Sequence, residues 1–189
     1  MPVKFAFDNP LLRAWLLLHQ TYNLILKSED AVFAKVGLTT QQHGVLMAIK
    51  YIQDPVTPTD VSNWLDRNPN GISMLLYRME KDGLVSRVRD LRDRRSVRLV
   101  ITERGNEIFG QATIIGWQLV EKMLSDLPEE DLWTLISLLE KVREQGFKNL
   151  NLGEAMEEIK IKNEAQNIAR FLAKMSIYAD TGYSGDERN

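Results

Sequence analysis

The chain has 189 residues, no cysteine, 24 Lys and Arg against 26 Asp and Glu, and a formal net charge of −2. That length buries a core without the help of metal or disulfide, and the absence of cysteine excludes a structural bridge, a thiolate metal site and a thiol redox switch, so a reducing, cytoplasmic setting is expected. No basic start leads into an apolar run with a cleavage site, and no stretch approaches about 18 apolar residues, so neither export nor a membrane span is predicted.

The charge is unevenly spread. Segment 56–105 holds ten basic residues against seven acidic ones, a local +3 that leaves −5 for the remainder. A basic module inside an acidic chain is the distribution expected when one face meets phosphates and the rest stays in solvent.

Residues 10–35 form the first predicted helix, with Leu11, Trp15, Leu18, Tyr22 and Ile25 stepping by four, three, four and three, a heptad-like stripe that calls for a partner helix. Thr39 or Thr40 opens a second helix carrying Val45, Leu46, Ile49 and Ile52 and ending near Asp54-Pro55. In Thr57-Pro58-Thr59-Asp60 a capping hydroxyl, a first-turn proline and a first-turn acid start a short helix with Val61, Trp64 and Leu65. After Asp66-Arg67-Asn68 a further helix, Pro69 to Lys81, buries Ile72, Leu75, Leu76 and Met79 and stops at Asp82-Gly83. Two short helices joined by a tight polar turn make a helix-turn-helix.

Leu84 to Arg89 and Ser96 to Ile101 roughly alternate apolar and polar residues around an arginine-rich turn, the pattern of a β-hairpin, or wing. Thr102-Glu103-Arg104-Gly105 starts a helix reaching about Ser125, with Ile108, Ala112, Ile115, Leu119 and Met123 in one row; Leu127-Pro128-Glu129-Glu130 opens another, which breaks at Gly146 through Gly153. A final stripe of Ile161, Ala165, Ile168, Leu172 and Met175 marks a last helix over 153–178, and a polar tail follows from Ala179.

The order helix, helix, helix-turn-helix, wing, helix, helix resembles the MarR (multiple antibiotic resistance regulator) family over roughly 10–145. Its specific wording is Leu-Tyr-Arg-Met-Glu-Lys-Asp-Gly-Leu-Val-Ser-Arg at 76–87, then Asp90-x-Arg92-Asp93-x-Arg95 with Leu99, Thr102 and Gly105. The resemblance implies a mainly α fold with a small β-hairpin, a winged helix-turn-helix over 55–105, and a helical dimerisation region over 1–54 and 106–178; the helix over 153–178 departs from the family pattern as an extra C-terminal helix, and the polar composition of 179–189 predicts a flexible tail. It also implies a homodimer that binds a near-palindromic operator in double-stranded DNA, usually as a repressor, and that a small aromatic or phenolic effector commonly releases.

On the second helix of the helix-turn-helix, Asn70, Ser73, Met74, Tyr77 and Arg78 occupy the side opposite the apolar residues, where they would meet base edges in the major groove. At the wing, Arg92 and Arg94 are candidates for the minor groove; the resemblance makes Arg92 the reader and Asp90 its orienting partner. Arg95, with Arg87, Arg89 and Arg98, reads as a phosphate contact or strand-surface charge, and Thr57 and Thr59 are placed to donate to phosphate near a helix N-terminus. Trp15, His19, His43 and Trp117 are the candidates to border an effector crevice. No cofactor or metal is expected: two histidines far apart, no phosphate-binding glycine loop and no nucleophile elbow leave an enzyme with little to stand on. The alternative is a winged helix used as a protein-interaction adaptor, against which the clustered wing arginines argue.

Overall fold

The computed structural model describes residues 9–52, 55–89 and 97–150. Local chemistry starts each helix. Asn9 accepts from the backbone N–H groups of Leu11 and Leu12, and Pro10 follows at the first helical position, opening α1 (Pro10–Phe33). A single 3₁₀ turn, Ala34–Val36, closes on Gly37, whose φ of +75° only glycine adopts without strain. Thr39, rather than Thr40, caps α2 (Thr40–Tyr51), because Gln42 completes a capping box with it, while the Thr40 hydroxyl donates to Asp30 at 2.6 Å. The helix stops at Tyr51, ahead of the expected Asp54-Pro55, where Ile52 turns extended.

Next come α3 (Pro58–Trp64), α4 (Pro69–Lys81), β1 (Val85–Arg89), β2 (Val97–Ile101), α5 (Glu103–Leu124) and α6 (Glu129–Asn149). The strands pair antiparallel with Arg87 opposite Leu99, and the hairpin is held to the body where the Leu99 N–H donates to the Val56 carbonyl at 2.8 Å. The helix runs through Gly146 and ends at Asn149, inside the break expected over Gly146 through Gly153. A glycine inside a helix costs only about 1 kcal/mol, and the last turn carries a Lys148–Glu144 pair at 2.6 Å.

One core joins these elements. Leu46 of α2, Val61 of α3, Leu76 and Met79 of α4 and Leu99 of β2 are fully buried with Phe109 and Ala112 of α5 beside them, each large side chain worth about 1.5–3 kcal/mol of apolar transfer. The root of the wing packs too tightly for a side chain at Gly105: a Cβ there would stand 2.0 Å from the Leu84 carbonyl oxygen. Thr102, which caps α5 by accepting from the Gly105 N–H at 2.9 Å, donates its own hydroxyl proton to the Gly83 carbonyl at 2.6 Å, locking α5 to the turn between α4 and β1. By contrast α6 buries none of its residues, and much of α1 is bare. The last predicted helix, 153–178, and the tail lie outside the described residues.

Candidate nucleic-acid interface

The sequence that leads into α3 is its own cap: the Thr57 hydroxyl donates to the Asp60 carboxylate at 2.6 Å and accepts the Asp60 N–H, while the Thr57 N–H binds the same carboxylate at 2.8 Å. That hydroxyl proton is already engaged, so of the two threonines Thr59, exposed one residue into the helix, is the one with an outward hydroxyl. The turn to α4 uses Asp66 at φ +48° and the Ser62 hydroxyl, which donates to the Arg67 carbonyl at 2.6 Å. Asn68 then caps α4 through the Asn70 N–H.

These caps fix which way α4 faces. Ile72, Leu76 and Met79 are buried, Leu75 half-buried, and Asn70, Ser73, Met74, Tyr77 and Arg78 are all exposed on the opposite side. Met74 and Tyr77 keep 57% and 51% of their surface in solvent, which the fold does not require; a thioether and a phenol beside amide, hydroxyl and guanidinium groups offer both apolar and hydrogen-bonding contact to base edges. Lys81 lies over the Tyr77 ring at 5.6 Å.

Gly71 belongs with this face although its residue type gave it no candidate role. It is exposed, its φ is ordinary, and a Cβ would meet nothing within 4 Å. A helical glycine that no packing demands leaves room for a close approach from outside, and that unexplained glycine at the helix start is the signal in the sequence.

Strand alternation sends Val85, Arg87 and Arg89 to one side of the hairpin, and Val85 is core. Arg87 therefore leans on α4: its guanidinium reaches the Ser73 carbonyl at 3.5 Å and Glu80 at 3.8 Å, and its backbone N–H donates to Glu80 at 3.4 Å. The candidates Asp90, Arg92, Arg94 and Arg95 at the wing tip lie outside the described residues.

The four effector candidates fall into three places. Trp15 and His19 form an edge-on pair on α1, ring centroids 4.6 Å apart; the Trp117 indole N–H donates to Glu121 one turn on in α5 at 2.7 Å. His43 sits in the junction of α1, α2 and α5, stacked on Phe33 at 4.2 Å and Phe109 at 5.6 Å. Its Nε2 is buried without a hydrogen-bond partner among the described residues, and burial pushes its pKa down to about 4, so the ring is neutral. Two shallow hollows lie on α6 and α1, and none of the four lines either. Among the described residues no acidic, His or Cys cluster suits a metal ion, and no helix is long and apolar enough to cross a membrane.

A helix-turn-helix whose second helix turns its polar face outward, flanked by a two-stranded hairpin and long helices, defines a winged helix-turn-helix protein. Residues 36–96 match the MarR family model. The transcriptional activatory protein BadR of Rhodopseudomonas palustris is 30% identical over 150 residues, which cover 77% of this chain and 84% of BadR. The chain belongs to the MarR family of DNA-binding transcriptional regulators. Its fold is similar to that of a mutant MarR from E. coli complexed with operator DNA (TM-score 0.64, 23% identity, 72% of this chain and 98% of that one). It is similar also to the organohalide-sensing regulator RdhR in its 2,4-dichlorophenol-bound form (TM-score 0.64, 23% identity, 77% and 89%).

Proposed function

We propose that the chain is a homodimeric, sequence-specific regulator that binds a pseudo-palindromic operator in double-stranded DNA, with α4 in the major groove and the wing in the minor groove. The observation that carries this reading is the outward face of α4, where Asn70, Ser73, Met74, Tyr77 and Arg78 stand together in solvent while the opposite face is sealed in the core. In this reading 55–105 is the DNA-binding lobe and 1–54 with 106–178 the dimerising region. The bare apolar residues of α5 and α6, among them Val120, Trp133, Leu138 and Val142, support a second copy as their cover, since no other described element buries a residue of α6. Two lobes one B-form turn apart, about 34–36 Å, would read two half-sites. Thr59 and Arg95 contact phosphate, Arg92 and Arg94 enter the minor groove, and Asp90 orients Arg92. The position of the operator relative to a promoter sets the sign of regulation, and family habit alone makes the protein a repressor; the setting is cytoplasmic.

A second reading, release by a small aromatic or phenolic effector, is favoured by His43: an imidazole nitrogen with no partner among the described residues, stacked with two aromatic rings where α1, α2 and α5 meet, offers a hydrogen bond and stacking surface together. Trp15, His19 and Trp117 are placed less directly.

Recovery of genomic fragments by the purified protein, followed by titration of the recovered site at several salt concentrations, tests the main reading. The expected result is a specific fragment and log affinity falling steeply with log salt, with Arg92→Ala weakening binding at least tenfold while the protein stays dimeric. No enriched fragment and a flat salt response would leave the adaptor.

A further inference from the structure

The N-terminal half of α1 is apolar on more than one side. Its heptad row keeps Leu11, Trp15 and Tyr22 exposed at 79%, 59% and 57%, with Leu18 and Ile25 half-buried. Phe33, 18 residues from Trp15 and so about five full turns away on the same side, is buried against α5, where a Cβ on Gly116 would meet its ring at 3.2 Å. The row is thus the bare extension of the face by which α1 packs in its lower half. Leu17 and Leu24, one heptad apart, are also exposed, at 51% and 60%, and at about 100° per residue they point roughly 120° or more away from Leu11. A single neighbour covers a stripe about 100° wide, so the homodimer proposed above accounts for one of these rows and leaves the other.

The chain itself supplies an occupant of matching shape. Beyond Leu150, where α6 has ended, 39 residues remain outside the described part. Within them Ile161, Ala165, Ile168, Leu172 and Met175 step by four, three, four and three, the same steps in the same order as Leu11, Trp15, Leu18, Tyr22 and Ile25. Both rows span 14 residues, about 21 Å if helical, and heptad rows of equal length interlock as knobs into holes. The small Ala165 in the segment leaves space for a bulky neighbour such as the α1 row provides in Trp15 and Tyr22. The ten residues between Leu150 and Ile161 reach up to about 35 Å when extended, enough to bring the segment back along α1.

We infer that the segment 159–175 docks its apolar stripe on the Leu11–Ile25 row of α1, adding a helix–helix contact to the dimerisation region and leaving Leu17 and Leu24 to the second copy. This reading rests on the proposed homodimer only for what covers Leu17 and Leu24.

The absence of cysteine makes the test clean. In the full-length protein, Leu18→Cys is combined one at a time with Ile161→Cys, Ala165→Cys, Ile168→Cys or Leu172→Cys on the stripe and with Lys162→Cys, Gln166→Cys or Arg170→Cys off it, and the pairs are oxidised in air. A disulfide needs Cα atoms within about 7 Å, so cross-links are expected at one or two stripe positions and at none of the others; links within one chain or between two both support the docking. No link on the stripe, equal linking off it, or efficient linking of the Leu18→Cys single variant to itself across two copies would overturn it. As a second measurement, Leu172→Asp in a protein keeping Trp15 but carrying Trp64→Phe, Trp117→Phe and Trp133→Phe is expected to raise acrylamide quenching of Trp15 at least twofold, and unchanged quenching would also overturn the docking. Sedimentation of the wild type reports the dimer separately, so failure of the one reading is distinct from failure of the other.

Discussion

Arg87 on β1 and Glu80 on α4 hold the wing against the reading helix: one carboxylate oxygen takes the Arg87 N–H at 3.4 Å and the other lies 3.8 Å from the guanidinium, which also reaches the Ser73 carbonyl. Both side chains are more than a third exposed, so the pair adds less than about 1 kcal/mol to stability. Its consequence is geometric, because in the proposed complex the angle between hairpin and helix decides whether both could enter their grooves at once.

Glu80→Gln tests that geometry. The expected result is an unfolding free energy within about 1 kcal/mol of wild type together with a several-fold loss of discrimination between operator and random DNA, read by fluorescence anisotropy on both. An unchanged ratio would make the contact ornamental.

Gly71→Ala separates folding from binding. With no atom within 4 Å of the new Cβ and an ordinary helical φ, the substitution should stabilise the chain by about 0.5–1 kcal/mol. Operator affinity should fall at the same time, because the methyl group stands on the approach face. A gain in Tm with undiminished affinity would remove Gly71 from the interface.

Gly105→Ala acts at the wing root, where the added carbon would stand 2.0 Å from the Leu84 carbonyl and 2.8 Å from Ile101. Both neighbours belong to the packed body, so a loss of about 2–4 kcal/mol is expected in urea unfolding, in the range of severe steric substitutions. Thr102→Ala, which deletes the cap of α5 and the bond to Gly83, should cost about 1–2 kcal/mol.

His43 supplies an acid-sensitive element. Its pKa is lowered to about 4 in the folded protein against 6.5 when solvated, so below pH 6.5 the unfolded chain binds a proton that the folded chain does not. Stability from this residue is therefore present above pH 6.5 and is lost as the pH falls toward 4, by about 2 kcal/mol between pH 7 and pH 5. Urea unfolding at the two pH values should show that difference shrinking in His43→Phe, which keeps a ring between Phe33 and Phe109. An equal acid loss in both proteins would assign the effect to other groups.

The helix starts were legible because a cap is made by residues within three positions of each other. Thr57, Pro58 and Asp60 predict their own hydrogen bonds, and the Thr102–Gly105 cap is likewise written in four consecutive residues. The inward and outward faces of α4 followed from the 3.6-residue period. Gly146 marked the end of α6 only to within three residues, since the modest penalty of one helical glycine is easily outweighed by its neighbours, and Gly71 carried no role until the space around it was visible.

From order and type of residue alone came the mainly α fold, the helix-turn-helix, the presence of the hairpin and the segregation of basic charge into one lobe, all legible from short-range patterns of residue type. Only the folded arrangement decided that Arg87 braces α4, that His43 lies between Phe33 and Phe109, and that Trp15 and Trp117 stand apart, because those relations join positions far apart in the chain. Packing, not local preference, brings them together: the docking of the hairpin beside α4 set Arg87 within reach of Glu80 and Ser73, and the closing of α1, α2 and α5 on one another stripped the water from an imidazole that the sequence presents as one more polar residue on a helix.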